Sequence, residues 1–192
     1  MRTFTSIPRT LLAGLTAAAL LGVVPAGATT RPQVSTSPSA HAVKVVKVKF
    51  HGTFKGTIAM LWSSTGAKAT SVRGTGAATY LGKATMTGAG SAPAANTCDP
   101  LTGTGFLRGA GSMLHLKIIN PTKSQACAAG SAAPTSVSVK GVAKILGGAG
   151  TWRGATGNLN FTGSFSIQKT TAGSSETDAF SATLTGLVLV RK

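Results

Sequence analysis

The chain has 192 residues and combines a low content of charged residues, 11%, with a formal net charge of +16. Because globular proteins usually carry about 25% charged residues, this composition excludes a coiled coil or an ordinary helical bundle. The hydrophobic fraction of 42% is too high for a disordered polycation. With three Asp and Glu residues in total, the chain has little material for paired-acid catalysis or for a calcium or magnesium site.

The first 28 residues have the pattern of a secretory signal peptide. Arg2 and Arg9 form a positively charged start, and residues 11–24 form an apolar run that Pro25 ends. The run is shorter than the roughly 20 residues that a helix needs to span a bilayer, so we expect cleavage near Ala28 rather than a retained anchor. The protein is therefore expected to be secreted or extracytoplasmic.

Residues 29–41 are rich in Ser, Thr and Pro and lack a hydrophobic period, which is typical of a flexible, disordered linker. No charge run or proline-rich break divides the remaining chain. The sequence thus predicts a signal peptide at 1–28, a linker at 29–41 and one folded domain at 42–192.

The folded domain contains the only two cysteines, Cys98 and Cys127. An oxidising compartment favours a disulfide between them. A metal or redox pair is disfavoured, because no histidine lies near either cysteine and their spacing is unlike a CxxC unit.

Strand periodicity dominates this domain. Between residues 46 and 62 the even positions are apolar or glycine, whereas most odd positions are basic or polar. Because side chains alternate across a strand, this segment is predicted to have one apolar and one basic face. The alternation recurs clearly at 114–118, 137–145, 159–167 and 180–190, and more weakly at 70–79, 80–88 and 102–107. Eight such strands, with glycine-rich turns and no helical period, indicate an antiparallel sandwich or a closed barrel.

A glycine-rich segment at 147–157, GGAGTWRGATG, resembles the GGTGxFxGAxG turn of the allene oxide cyclase-like and dirigent-like β-barrels and of secreted bacterial proteins related to them. Ala149 stands where that pattern has Thr, and Trp152 where it has Phe. Three further elements occur in the expected order, namely YLGK at 80–83, GTGFL at 103–107 and TG at 185–186. The resemblance covers about residues 50–190 and implies an all-β fold, an antiparallel eight-stranded closed barrel.

The turn residues that we expect to be structural are Gly147, Gly148, Gly150, Trp152, Gly154 and Gly157. The first three are expected to adopt positive φ angles in a tight connection. Trp152 is expected to cover the barrel end, while Gly154 and Ala155 let backbones approach closely. A phosphate-binding role is not expected, because a phosphate loop opens a helix and is followed by Lys.

The resemblance also implies, as one alternative, an isomerase that works in an apolar cavity with a polar group inside the barrel. Asp99 adjoins Cys98 in an expected loop, and Glu176 and Asp178 lie in a polar stretch before the last predicted strand. Because none of these acids falls on a predicted apolar face, no catalytic residue is carried over. No cofactor or metal ligand is predicted, and a non-enzymatic protein is favoured.

His115 and Lys117 lie two residues apart on one face of a predicted strand. A general base beside a cation is one interpretation. Two solvent-facing residues on the outer barrel wall is the other, which we favour.

Six aromatic residues are candidates for lining a ligand cavity: Phe50, Phe54, Trp62, Tyr80, Phe161 and Phe165. The interior of an eight-stranded barrel holds either side chains or one small ligand. The abundance of Gly and Ala leaves both arrangements open, and we favour a filled core.

The basic excess predicts a negatively charged partner. The candidate contacts are lysines on two strand faces: Lys44, Lys47, Lys49, Lys55, Lys140 and Lys144. Such a surface attracts an anionic polymer or membrane surface, whereas nothing in the sequence indicates specific nucleic-acid binding. The function expected first is non-enzymatic association with an anionic envelope or extracellular surface. A barrel that binds a small apolar ligand is the alternative, and a homo-oligomer is a further option.

Overall fold

The computed structural model describes residues 44–191. The predicted signal peptide and linker lie outside the described residues. The elements are β1 (Val45–Ser63), β2 (Gly66–Ala78), β3 (Gly82–Pro93), β4 (Cys98–Pro100), β5 (Thr102–Gly109), β6 (Ser112–Ile119), β7 (Gln125–Ala128), β8 (Thr135–Ala149), a 3₁₀ turn (Gly150–Trp152), β9 (Thr156–Ile167) and β10 (Ser175–Arg191). Within this part of the chain, no helix is long and apolar enough to cross a membrane.

Eight of these strands form a closed antiparallel barrel, as predicted. Their order is β8-β6-β5-β3-β2-β1-β10-β9, and β9 pairs again with β8 to complete the ring. The eight predicted segments correspond to these eight strands. Closure leaves no unpaired long edge that could template aggregation.

The remaining two strands were not predicted from the sequence, and they form a small extension beside β8. β4 pairs with β7, and β7 pairs with β8 at Val137–Lys140. Cys98 and Cys127 are partners in the β4–β7 register, with Cα atoms 4.0 Å apart, and they form the predicted disulfide.

The side-chain alternation of β1 matches the sequence prediction. Phe50 and Phe54 point inward and are 3% and 2% exposed, whereas Lys49, just before Phe50, and Lys55, just after Phe54, lie on the outer wall. The interior separates into two clusters along the barrel axis. One, here called the packed end, contains Phe50, Phe54, Leu81, Leu107, Leu114, Trp152, Leu159 and Val188; the other, the cavity end, contains Ile58, Met60, Trp62, Val137, Ile167 and Phe180.

The glycine-rich turn closes the packed end. Trp152 is 1% exposed, and its ring packs edge-on against Phe50 at a centroid distance of 5.9 Å. Gly150 adopts φ of 63° and Gly154 φ of 68°, a region that glycine reaches without the steric cost of a Cβ. Trp152 therefore covers the barrel end, as the sequence analysis expects.

Two glycines of this turn have roles other than those expected. Gly148 does not adopt a positive φ. It is required instead because a Cβ at this position would collide with the carbonyl oxygens of Trp152 and Met113. For Gly154 the reverse holds: its φ needs glycine, whereas a Cβ would meet nothing closer than Arg191 at 3.9 Å.

Candidate functional site

A cavity of about 290 Å³ occupies the cavity end of the barrel interior. Leu107, Leu116 and Leu184, which belong to the packed cluster, form its floor. The lining includes exposed residues of the connection between β3 and β4, residues 93–97, and we infer that the mouth of the cavity lies there. The large side chains on its walls are Met60, Trp62, Met86, Phe161, Phe165 and Phe180.

The space lies where β3 and β5 contribute glycine to the inner face of the barrel. Gly88 and Gly105 are direct partners in the register of these two strands, and so are Gly90 and Gly103. Protein interiors are normally filled to crystal-like density, so two adjacent glycine pairs leave a hollow unless a facing side chain reaches across. The favoured filled core is therefore wrong for this half of the barrel and right only for the packed end.

The aromatic residues proposed to line a cavity divide into three groups. Trp62, Phe161 and Phe165 line it. Phe50 and Phe54 lie instead in the packed cluster, on the far side of the leucine floor. Tyr80 is not an interior residue at all, because it is 65% exposed in the β2–β3 turn and packs edge-on against Trp152 at 6.0 Å.

Several lining residues were missed by the sequence analysis. Met60 and Phe180 occur on the apolar faces that the alternation identifies, so a signal for them was present. The small lining residues carry no such signal, because Ala69, Ala126 and Ala182 become cavity walls only through their positions in the barrel.

Asp99 is the charged residue among those that line the cavity. It was expected in a loop, but it belongs to β4 and is 4% exposed. Its Oδ2 accepts hydrogen bonds of 3.0 Å from the backbone N–H groups of Ala95 and Asn96, and its Oδ1 accepts one of 3.1 Å from Asn96 Nδ2. Asp99 therefore holds the β3–β4 connection at the cavity mouth in place.

The other two acids were expected outside the last strand, and this expectation is wrong. β10 begins at Ser175, so Glu176 and Asp178 lie within it. Their register partners are Met60 and Ile58, which are 4% and 8% exposed on the inner face of β1. Both acids are consequently on the apolar face of β10, with Glu176 four residues and Asp178 two residues before Phe180.

Glu176 and Asp178 differ in how their carboxylates are satisfied. Glu176 accepts a 3.0 Å hydrogen bond from Trp62 Nε1 and bonds of 2.9 and 3.0 Å from the backbone N–H groups of Gln168 and Lys169. Asp178 Oδ2 is buried and has no hydrogen-bond partner. Burial disfavours the charged form of Asp178 and so raises its pKa, and the negative charge of Glu176 raises it further.

The six lysines proposed as polyanion contacts are all exposed, and five of them lie on two strands that are not neighbours. Lys44 precedes β1, Lys47, Lys49 and Lys55 lie on β1, and Lys140 and Lys144 lie on β8. β10 and β9 separate β1 from β8. The register nevertheless aligns Lys49, Leu187, Asn158 and Lys144 in one row across the outer wall.

Lys117, which was not among the proposed contacts, extends this row. It lies on β6 directly opposite Lys144 in the antiparallel register, and both side chains are exposed. Like charges at directly opposed positions destabilise a sheet. An anion between the two ammonium groups would relieve that repulsion.

His115 belongs to the outer wall, as favoured over a catalytic role. Its ring stacks on Phe106 of β5 at a centroid distance of 4.4 Å, and the Arg108 guanidinium lies 5.0 Å from the same Phe106 ring. Because His115 and Lys117 face away from the lumen, neither can act on a ligand in the cavity.

No protein-family model matches the chain, no curated protein matches it, and no solved structure matches it. Within residues 44–191, no group of three His, Cys, Asp or Glu side chains is arranged to hold a metal ion.

Proposed function

We propose that this protein binds a small apolar ligand inside the barrel. The observation that carries the proposal is the cavity of about 290 Å³ above the leucine floor. Ligand pockets in proteins commonly measure about 300–1,000 Å³ and are mostly apolar, so this one suits a compact ligand. Its walls offer aromatic rings and thioethers, which bind apolar groups through burial and close contact.

The polar groups near the cavity favour binding over catalysis. Asp99 already accepts three hydrogen bonds from its own connection, and Glu176 accepts three more. Carboxylates held in this way serve the structure and are poorly placed to exchange protons with a ligand. Asp178, whose Oδ2 lacks a partner, is not among the residues that line the cavity, so it does not supply the polar group that the isomerase implied by the resemblance to allene oxide cyclase-like barrels would need there.

Titration with the neutral fluorescent probe N-phenyl-1-naphthylamine tests the proposal. A neutral probe is suitable because the basic outer wall does not attract it. We expect saturable enhancement of probe fluorescence together with quenching of Trp62, which lines the cavity. The second tryptophan, Trp152, lies at the packed end and is expected to be unaffected.

A matched pair of substitutions on β2 locates the binding. Ala69 lines the cavity, whereas Ala77 is exposed on the outer wall of the same strand. Leu at position 69 would compete with the bound probe for the same space, and overpacking of this kind costs roughly 1–3 kcal/mol. Ala69→Leu should therefore weaken probe binding by about tenfold, and Ala77→Leu should leave it unchanged. Equal probe affinity for both variants would overturn the proposal.

Association with an anionic envelope or extracellular surface is a second candidate function. The observation that favours it is the unrelieved pair of Lys117 and Lys144, opposed across β6 and β8. Binding to immobilised heparin, followed by salt elution, tests it. The double variant Lys117→Ser/Lys144→Ser should elute at lower salt than Lys68→Ser/Lys169→Ser, which removes the same charge from exposed positions near the cavity end. Retention that does not change with salt would contradict this function, since exposed charges are screened within about 10 Å at 0.1 M salt.

A further inference from the structure

Exposed apolar side chains concentrate at the packed end of the barrel. Among residues 44–191 the large exposed hydrophobic residues are Val45 at 54%, Leu61 at 43%, Tyr80 at 65%, Leu146 at 48% and Leu187 at 53%. Tyr80 packs against Trp152, and Leu146 lies just before the Trp152 turn. Leu187 adjoins Val188 of the packed cluster. Of the five, Leu61 alone lies at the cavity end, between Met60 and Trp62.

Basic side chains border these apolar residues directly. Lys49 is the register partner of Leu187, and Arg191 is the partner of Val45. Lys144 lies two residues before Leu146 on the outer face of β8. Single exposed hydrophobic residues need no explanation, but four that share one end of a barrel with cations beside them do.

The acids are segregated to the opposite end. Asp99 lines the cavity, Glu176 bonds to Trp62, and Asp178 is the register partner of Ile58. These are the three acidic residues of the whole sequence. Among residues 44–191 the packed end therefore has basic and apolar side chains but no acidic side chain, and the charge of the barrel is asymmetric along its axis.

We propose that the packed end docks on an anionic lipid bilayer. This inference rests on the second candidate function and names the surface and the partner. Val45, Leu146 and Leu187 would enter the boundary between headgroups and acyl chains, and the flanking cations would contact lipid phosphates. Tyr80 suits this position because an amphipathic ring favours the membrane–water interface.

The apolar residues distinguish a bilayer from a soluble anionic polymer. A hydrophilic polymer would engage the lysines and arginines but would give no burial for Leu187 or Val45, whereas a bilayer accommodates both kinds of side chain. Docking in this orientation points the cavity mouth, at residues 93–97, away from the membrane and toward solution.

Cosedimentation of the protein with lipid vesicles tests the inference. Vesicles of phosphatidylglycerol and phosphatidylcholine in equal parts are compared with pure phosphatidylcholine, and soluble heparin is the polymer control. Leu187→Ser should weaken binding to the anionic vesicles by about fivefold or more, because it removes a side chain that gains burial there. Its affinity for heparin should be unchanged. Leu61→Ser, an exposed leucine at the other end, should change neither.

Substitution of lysines should weaken binding both to anionic vesicles and to heparin. Lys47→Ser and Lys49→Ser should each weaken vesicle binding by about fivefold, since a cation near an anionic leaflet contributes about that factor, and should also weaken heparin binding. If Leu187→Ser binds anionic vesicles as the parent does, or if neutral vesicles bind equally well, the inference is wrong while the second candidate function stands. If neither vesicles nor heparin bind at low salt, both fail.

Discussion

Trp62 donates its indole N–H to Glu176, with 3.0 Å between Nε1 and Oε1. The bond joins the end of β1 to the start of β10, at the point where Trp62 forms a wall of the cavity. The other carboxylate oxygen of Glu176 accepts the backbone N–H groups of Gln168 and Lys169. One side chain thus ties the β9–β10 connection to a tryptophan in the wall of the cavity.

Glu176→Ala should lower the free energy of unfolding by about 1–3 kcal/mol, because it leaves the part-buried Trp62 N–H without a partner. Glu176→Gln should cost less, since its amide oxygen can still accept that bond. Urea unfolding followed by tryptophan fluorescence measures both effects. Identical unfolding midpoints for Glu176→Ala and the parent would show that the bond contributes nothing to stability.

Protonated Asp178 should contribute stability at acid pH that is lost at neutral pH. Its pKa is raised above the ordinary 3.8 by burial and by Glu176, so the folded chain holds this proton to a higher pH than the unfolded chain does. The stabilisation from the proton is complete below about pH 3.8 and is lost as the pH rises through the folded-state pKa.

Asp178→Asn should therefore be more stable than the parent at pH 7, and the difference should vanish at pH 3. Urea unfolding of both proteins at the two pH values measures it. Asp99→Asn is the control: the parent carboxylate accepts three hydrogen bonds, so this change should destabilise the protein at pH 7. A loss of stability in Asp178→Asn at pH 7 would contradict the proposed environment of Asp178.

Loss of the disulfide should destabilise the fold and disturb the cavity together. A disulfide between residues separated by 29 positions contributes roughly 3–4 kcal/mol to the free energy of unfolding in the chain-entropy model. We expect a loss of that order for Cys98→Ala/Cys127→Ala in urea unfolding. Probe affinity should fall as well, because β4 and β7 supply Asp99 and Ala126 to the cavity. Unchanged probe affinity in the double variant would show that these strands are not needed to shape the site.

Trp152 should tolerate Phe far better than Ala. Its indole N–H is buried without a hydrogen-bond partner, so Trp152→Phe removes an unsatisfied polar group while keeping the ring against Phe50. We expect a change below about 1.5 kcal/mol for Phe and a loss of about 3–5 kcal/mol for Ala. Thermal unfolding of the three proteins gives the comparison, and equal losses for both variants would contradict this account of Trp152.

Strand periodicity sufficed to predict the eight long strands, because each has one buried and one solvated face and therefore alternates between apolar and polar residues. It left a sandwich and a closed barrel open, and the resemblance of the glycine-rich turn pointed to the barrel. β4 and β7 are three and four residues long, too short for a period to emerge. Cys98 and Cys127 were the only hint that these segments pair.

The positions of the two acids of β10 were predicted wrongly for a different reason. Glu176 and Asp178 have the same parity as Phe180, so their inward orientation was readable once the strand is extended to Ser175. The cavity could not be predicted from the alternation along single strands. It depends on Gly88 lying opposite Gly105 and Gly90 opposite Gly103, and sequence alone does not supply the register between two strands.

A crystal structure of the protein with N-phenyl-1-naphthylamine tests the central claim, that the barrel is a receptor for a small apolar ligand, most directly. We predict electron density for the probe above the leucine floor, in contact with Trp62, Met86 and Ala126. Density for the probe only on the outer wall, or a lumen closed by repacked side chains, would contradict the claim.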